Sequence, residues 1–289
     1  MKILVNFIFW FVFFKASSAQ VIQKTIVAAE SGNPIVYATV TYQINIKVGT
    51  YSDLNGKFSI PKIENDSLIV SCIGYTTRHF STNDIANTDL IFLYTEAKEL
   101  TEVVVSPPKN LKNRPTRKLG YYHLRKSNMV QAGIKGQKVL VGIANETDGK
   151  SHQIISLNFR MANTTSDKEK TKNGIVRICL YDMNSICKEP KNSLLPYDIV
   201  LTINKSKRRL EIDIKDLNIF LPRCGVFVGL EWLGEKGRSS TYNIQPGYEK
   251  VFVSEGENLV YYESFSRKAF GSLYEKNKTG IPMFGIEIN

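Results

Sequence analysis

The chain has 289 residues, 38 Lys and Arg against 27 Asp and Glu, a formal charge of +11, 43% hydrophobic residues and four cysteines. That supplies apolar material for more than one core and too few cysteines for a disulfide scaffold. The positive charge does not single out nucleic acid, because anionic lipid and acidic polysaccharide answer it equally well.

The chain opens MKILVNFIFWFVFFKASSAQ, with one cation at Lys2 ahead of Ile3 to Phe14, apolar except for Asn6, and then small residues. Ser17 and Ala19 stand at the two positions a signal peptidase needs small, so residues 1–19 are expected to be a secretory signal peptide cleaved before Gln20. A spanning helix needs roughly 20 apolar residues, and Lys15 interrupts this run, so no transmembrane segment is expected in the mature chain. Gln20 stands where a lipoprotein would carry its acylated Cys. Loss of Lys2 and Lys15 takes the charge from +11 to +9. An exported basic surface meets anionic lipid or acidic polysaccharide rather than nucleic acid.

From Gln20 to Val105 the pattern has a period of two. Ala38, Val40 and Tyr42 point one way and Thr39 and Thr41 the other, which predicts a half-buried strand over Ile35 to Tyr42. Asp53, Asn55 and Gly56 predict a tight turn, two of them able to bond their own backbone and the third free to take a positive φ. Phe58 and Ile60 then share a face up to Pro61, and Leu68, Val70 and Cys72 share another, which makes Cys72 a small packed hydrophobe.

Ser106, Pro107 and Pro108 end this pattern, since adjacent prolines cannot donate to a sheet ladder. A basic linker is expected over residues 106–120, and the stretch from Lys109 to Lys126 holds seven cations and no acid, with Tyr121, Tyr122 and His123 interleaved. A solvated, self-repelling connector is one reading; a clamp for lipid phosphate or acidic polysaccharide through Arg117, Lys118, Tyr121 and Tyr122 is the other.

Residues 121–289 are expected to form a second module. Strand signals fall at 138–143, 153–159, 174–181, 198–203, 209–214, 225–232, 259–265 and 282–288. Val176, Ile178 and Leu180 face its core while Arg177, Cys179 and Tyr181 face away; CGVFVGLEWLGE alternates less and reads as a central strand covered on both sides. The Gly- and Ser-rich stretch from Gly234 to Gly247 reads as a loop at a binding edge. Cys179 and Cys187 flank a turn and either pair or stay as free thiols.

Five segments in order resemble the carboxypeptidase regulatory-like domain: Gly32-Asn33-Pro34-Ile35, Gly49-Thr50, Asp53 through Gly56 to Phe58, Ile73-Gly74-Tyr75, and Leu100-Thr101-Glu102-Val103-Val104-Val105. Lys24 and Ala28 depart from that family's first strand, where Gly and Asp are usual. The resemblance implies an all-β fold, a transthyretin- or prealbumin-like Greek-key sandwich over 20–105. It also implies a Bacteroidetes outer-membrane or surface setting, as in the N-terminal domain of TonB-dependent receptors. Too few residues follow Val105 for a plug and a receptor barrel. The second module resembles a jelly-roll-like β-sandwich through RICLYDMN, EIDIKDLNIFLP and GVFVGLEWL.

Chemistry is harder to find. His79, His123 and His152 sit in no motif with a nucleophile, no GxSxG elbow occurs, and neither CxxC nor a zinc-ligand set is present. Asp182-Met183-Asn184 begins like a calcium loop, but Cys187 and Ser193 stand where Gly and Glu belong, so a turn is the better reading. Glu231 and Glu235 read as surface acids. No catalytic residue, metal or cofactor is therefore expected. The chain reads as an exported, non-catalytic binding or scaffolding protein of the bacterial periplasm or outer membrane, partnered by a glycan or an envelope protein. The alternatives are a glycan-binding module of a polysaccharide-utilisation system, with Trp232, Tyr242 and Tyr248 as aromatic contacts, or a hydrolase on the second sandwich; Trp232, following Phe227-Val228-Gly229-Leu230, reads first as a core residue and second as a sugar platform.

Overall fold

The computed structural model describes residues 20–96, 115–122, 133–146, 151–163, 174–184, 189–203, 209–235 and, from 241 onward, all but 243, 247, 252–259, 266, 271–272 and 276–277. The expected signal peptide, residues 106–114 of the expected linker, His123 and Cys187 lie outside them. No described helix is long and apolar enough to cross a membrane.

The protein is all-β, built from β-sandwiches. The first has strands β1 (Val21–Ala28), β2 (Thr39–Tyr42), β3 (Gly49–Tyr51), β4 (Lys57–Pro61), β5 (Ser67–Ser71), β6 (Arg78–Ser81) and β7 (Leu90–Leu93). They form sheets of order β4-β1-β7 and β3-β2-β5-β6. Alternation makes them: Val40 and Tyr42, Phe58 and Ile60, and Leu68 and Val70 all turn into one apolar cluster with Ile26, Ile91 and Leu93, while their neighbours turn out. Tyr42 carries a polar tip into this core and satisfies it across the sheets. Its hydroxyl donates to the Pro61 carbonyl at 2.7 Å and accepts the Ile63 N–H at 3.0 Å. The predicted strand from Ile35 is shorter than expected and begins at Thr39. Ile35 is buried but outside the strand, its N–H donating to the Ile26 carbonyl.

Asp53, Asn55 and Gly56 lie in the turn between β3 and β4. Asp53 Oδ1 accepts the N–H groups of Asn55 and Lys57, both at 2.8 Å, and Gly56 takes φ +72°. A Cβ at Gly56 would stand 2.4 Å from the Ile26 carbonyl oxygen, so bulk as well as backbone angle demands glycine there.

The second sandwich has β8 (Arg117–Gly120), β9 (Gly133–Ile134), β10 (Lys138–Ala144), β11 (Ile154–Asn163), β12 (Gly174–Met183), β13 (Pro190–Ser193), β14 (Val200–Ile203), β15 (Arg209–Asp213) and β16 (Gly225–Glu235). It continues with β17 (Thr241–Tyr242), β18 (Ile244–Pro246), β19 (Tyr248–Val251), β20 (Val260–Ser264), β21 (Arg267–Phe270), β22 (Leu273–Glu275), β23 (Lys278–Pro282) and β24 (Phe284–Ile288). A seven-stranded sheet runs β13-β12-β16-β10-β20-β21 with β14 also on β12, and a five-stranded sheet runs β15-β11-β24-β8 with β18 also on β11. Between them lies the larger apolar cluster, which includes Val176, Ile178, Leu180, Trp232, Phe159, Phe284 and Ile286. Phe159 and Phe284 meet edge to face with centroids 5.0 Å apart. β16 is central in its sheet and buried from Gly225 to Leu233, as its weak alternation predicts.

Three expectations are corrected. Arg117–Gly120, expected at the end of the linker, is an edge strand paired with β24. Its outward charges gave it the look of a connector, and such charges are what protect an open sheet edge. The expected loop at 234–247 contains the end of β16 and the strands β17 and β18. Asp182 and Met183, expected in a turn, end β12, and the Asp182 carboxylate accepts the Asn192 N–H across to β13.

Candidate functional site

The seven-stranded sheet has a second, outward face, and there the sequence places charge at directly opposed positions. Arg177 on β12 is in register with Glu231 on β16, Glu231 with Lys138 on β10, and Lys138 with Glu263 on β20. The result is one rung of alternating sign across four neighbouring strands. Opposite charges facing each other across a sheet attract, so the rung is self-consistent. Arg177 Nη1 lies 2.8 Å from Glu231 Oε2, and Lys138 Nζ lies 3.2 Å from Glu263 Oε2.

The first sandwich covers this rung. Tyr51 at the end of β3 donates its hydroxyl to Glu231 Oε1 at 2.7 Å. Arg177 donates to the carbonyl of Tyr37 and, at 3.4 Å, to Thr39 Oγ1. Tyr37 holds φ +57°, a left-handed conformation uncommon for a bulky residue, in the turn that aims its carbonyl at Arg177. Asp198, just before β14, grips the other side of the guanidinium at 3.1 Å and also accepts the Cys72 thiol at 3.6 Å. Cys72 thus packs against its own core as expected, but it lies beyond β5 and belongs equally to the contact between sandwiches. Phe265, just after β20, completes the contact as a wedge. A Cβ at Gly49 or at Gly136 would each come 2.3 Å from its ring, and the ring lies 5.2 Å from that of Tyr51.

Burial decides the electrostatics. Arg177 and Glu231 are 5% and 6% exposed, so each charge is sustained by its partners rather than by water. Burial works against the Glu231 carboxylate, but Arg177, Lys138 and the Tyr51 hydroxyl outweigh it and hold it down to about 2. Burial also opposes the Arg177 charge, and Glu231 with Asp198 raises its pKa above the ordinary arginine value. Asp198 goes the other way: burial raises it, and the attraction of Arg177 does not make up the difference. Burial pushes the Cys72 and Cys179 thiols up to about 12. Arg177 Nε and Asp198 Oδ1 are buried with no hydrogen-bond partner.

Beside the rung a cleft of about 670 Å³ opens between the sandwiches. Its floor on one side is the outward face of β2 and β5, including Thr39, Thr41, Ile69 and Ser71, and on the other Lys138, Arg177, Tyr181 and Glu231. Among the described residues no three His, Cys, Asp or Glu side chains group as metal ligands.

Of the sequence-predicted contacts whose side chains are described, Trp232, Arg117, Lys118, Tyr121 and Tyr122, none lines this cleft. Trp232 is 1% exposed and packs between the two sheets of the second sandwich, in register with Val176, so its ring has no face free for a sugar. It lies next to Glu231 in the strand, and alternation sends the two to opposite faces. Tyr242 and Tyr248 sit on β17 and β19, and their side chains lie outside the described residues. Arg117 and Lys118 are exposed on β8, Lys118 being 3.9 Å from Glu287 and 5.9 Å from the Tyr122 ring. Tyr121 packs against the second core, and Tyr122 donates its hydroxyl to the Ile286 carbonyl at 2.8 Å, so both aromatics fasten the edge strand. The expectation for Glu231 as a surface acid is corrected, since the first sandwich seals the face it occupies; the Glu235 side chain is outside the described residues. Cys179 is a free, buried thiol in a small cluster with Leu140, Phe227 and Tyr261 on that same outward face. One signal for the missed site was present in the sequence: Arg177 and Glu231 each interrupt a run too apolar for an exposed strand.

Comparison with known families places a CarboxypepD_reg-like domain at residues 22–105, a little under a third of the chain. No curated protein matches the chain.

Proposed function

We propose that this chain, whose first sandwich is a CarboxypepD_reg-like domain, is an exported, non-catalytic binding or scaffolding protein of the bacterial periplasm or outer membrane. The observation that carries the reading is the charged rung. Among the described residues Arg177, Glu231, Lys138 and Glu263 are well placed for acid–base chemistry, and they are already engaged: Arg177 and Glu231 hold one sandwich against the other, and Lys138 and Glu263 pair beside them on the same sheet. The thiols support it: Cys72 and Cys179, pushed up to about 12, stay protonated near neutral pH and are poor nucleophiles. His152 is tied through Nδ1 to the terminal Asn289 carbonyl at 2.8 Å, away from any Ser or Cys nucleophile in the cleft. The sequence over residues 1–19 supports export, and the first domain then serves as a module that presents the second.

The test is fractionation of a Gram-negative host expressing the full chain, with the mass of the recovered protein. The expected product is found outside the cytoplasm and begins at Gln20. A chain retained in the cytoplasm with Met1 intact ends the export reading. Steady hydrolysis of a broad panel of esters, peptides and glycosides by that product ends the non-catalytic one.

A further inference from the structure

We propose that the cleft between the two sandwiches is a binding site for an uncharged, hydroxyl-rich ligand of the oligosaccharide class. This rests on the reading of the chain as a binding protein and assigns that role a place. The size is suitable: about 670 Å³ lies within the range of roughly 300–1,000 Å³ usual for small-ligand sites.

The charge balance selects the ligand. Among the described residues three cations line the cleft, Lys138, Arg177 and Lys191, and three anions, Glu96, Glu231 and Glu263. Four of these are already closed into ion pairs, Arg177 with Glu231 at 2.8 Å and Lys138 with Glu263 at 3.2 Å. Lys191 and Glu96 are exposed and of opposite sign. Among these described groups a phosphate or uronate finds no excess of cation, and a cationic ligand finds no excess of carboxylate. A neutral guest keeps the pairs intact and still meets charge-polarised hydrogen-bond partners.

The rest of the lining is suited to hydroxyl groups. Thr41, Ser71, Tyr75, Thr77 and Ser193 bring hydroxyls, each both donor and acceptor, and Asn192 brings an amide with both functions. Phe265 contributes the apolar surface that the C–H face of a sugar ring prefers. Its ring is set by Gly49 of one sandwich and Gly136 of the other, so it is positioned before any ligand arrives. Much of the lining comes from strands of both sandwiches, so the site exists only while the contact between them holds.

The experiment is a binding array of neutral plant, fungal and bacterial oligosaccharides beside matched uronate-containing and sulfated ones. It is followed by calorimetry on the hits with the full chain and with Thr41→Phe, Asn192→Ala and Lys118→Ala variants whose melting temperatures match the parent. Neutral oligosaccharides are expected to bind. Thr41→Phe, which fills the cleft, is expected to weaken them about tenfold or more, a loss of about 1.4 kcal/mol per tenfold, with Lys118→Ala on the distant edge strand without effect. Preference for the acidic sugars, with loss in Lys118→Ala, overturns the charge argument. Neutral binding untouched by both Thr41→Phe and Asn192→Ala overturns the location. Absence of any carbohydrate binding by a chain that is still exported overturns this site and leaves the broader reading standing, whereas failure of export strikes that reading alone.

Discussion

One sheet separates the core of the second sandwich from the charged contact beside it, and its two faces are held by opposite means. On the inner face Val176, Ile178, Leu180 and Trp232 meet the other sheet in an apolar, tightly filled space. On the outer face Arg177 and Glu231, from the same two strands, meet Tyr51, the Tyr37 carbonyl and Thr39 of the first sandwich through hydrogen bonds and ion pairs. Apolar burial is non-directional and tolerates many arrangements of comparable volume. A buried ion pair contributes little net stability, yet it penalises every arrangement that leaves one partner alone. The inner face therefore supplies the stability of a sandwich, and the outer face fixes how the two sandwiches sit.

The largest effects separate these two roles. Trp232→Ala is expected to cost about 3–5 kcal/mol by leaving a cavity between the sheets. Arg177→Met is expected to cost about as much, roughly 3–5 kcal/mol, by stranding the Glu231 and Asp198 carboxylates. The two losses differ in what restores them. Arg177→Met combined with Glu231→Leu removes both halves of one pair and should recover part of the stability, Asp198 still lacking its cation, while no second change on the outer face rescues Trp232→Ala. Denaturant titration of the four variants reads this directly, and a double variant no better than Arg177→Met would remove the pairing argument.

Tyr51→Phe comes next. It takes from Glu231 Oε1 a donor at 2.7 Å and leaves the ring in place beside Phe265, so the expected loss is about 1.5–3 kcal/mol, the value of a hydrogen bond to a charged group. Gly49→Ala should cost about 1–3 kcal/mol, because its Cβ would enter the Phe265 ring and must displace it. Both changes lie in the first sandwich, where Tyr51 is buried in the contact. If limited proteolysis showed the second sandwich as protected in both variants as in the parent, the first sandwich would not be bracing it.

Much of the comparison can be read from the sequence, and the part that cannot has a physical cause. The alternation through NGIVRICLYDMN gives the inner face of β12 residue by residue, and the run CGVFVGLEWLGE gives β16 as a strand covered on both sides. The same alternation sends Arg177 and Glu231 outward, which by itself reads as solvent. Only the register Arg177 to Glu231 to Lys138 shows that these charges oppose one another, and register between strands about fifty and ninety residues apart is a property of the assembled sheet. Trp232 marks the same limit. An aromatic in an apolar strand is compatible with a core or with a sugar platform, and its parity relative to Glu231 decides for the core once the covered face is known. Arg117 and Lys118 read as linker from the sequence because a charged edge strand and a charged linker have the same composition.

The smallest expected effect is the most discriminating, because it separates two carboxylates that share one arginine. Glu231 is held down to about 2, so its contribution is complete above its unfolded value near 4.5 and is lost as pH falls through the interval between them. Asp198 is raised above its ordinary 3.8, so the folded chain holds a proton there more firmly than the unfolded one, and acidification through that window adds stability. Asn at position 198 imitates the protonated acid. Asp198→Asn should therefore change stability near neutral pH by under about 1 kcal/mol, within the range of an ordinary hydrogen-bond exchange. The variant should also lack the small gain that the parent shows on acidification, and it should keep the full loss that follows further down as Glu231 protonates. Glu231→Gln should show the reverse: less stable than the parent at neutral pH, and converging on it as the pH approaches 2. Thermal melting of the three proteins against pH distinguishes these shapes. Coincident curves for the two variants would mean that Arg177 holds both carboxylates alike, and the asymmetry that burial imposes on its two sides would have to be abandoned.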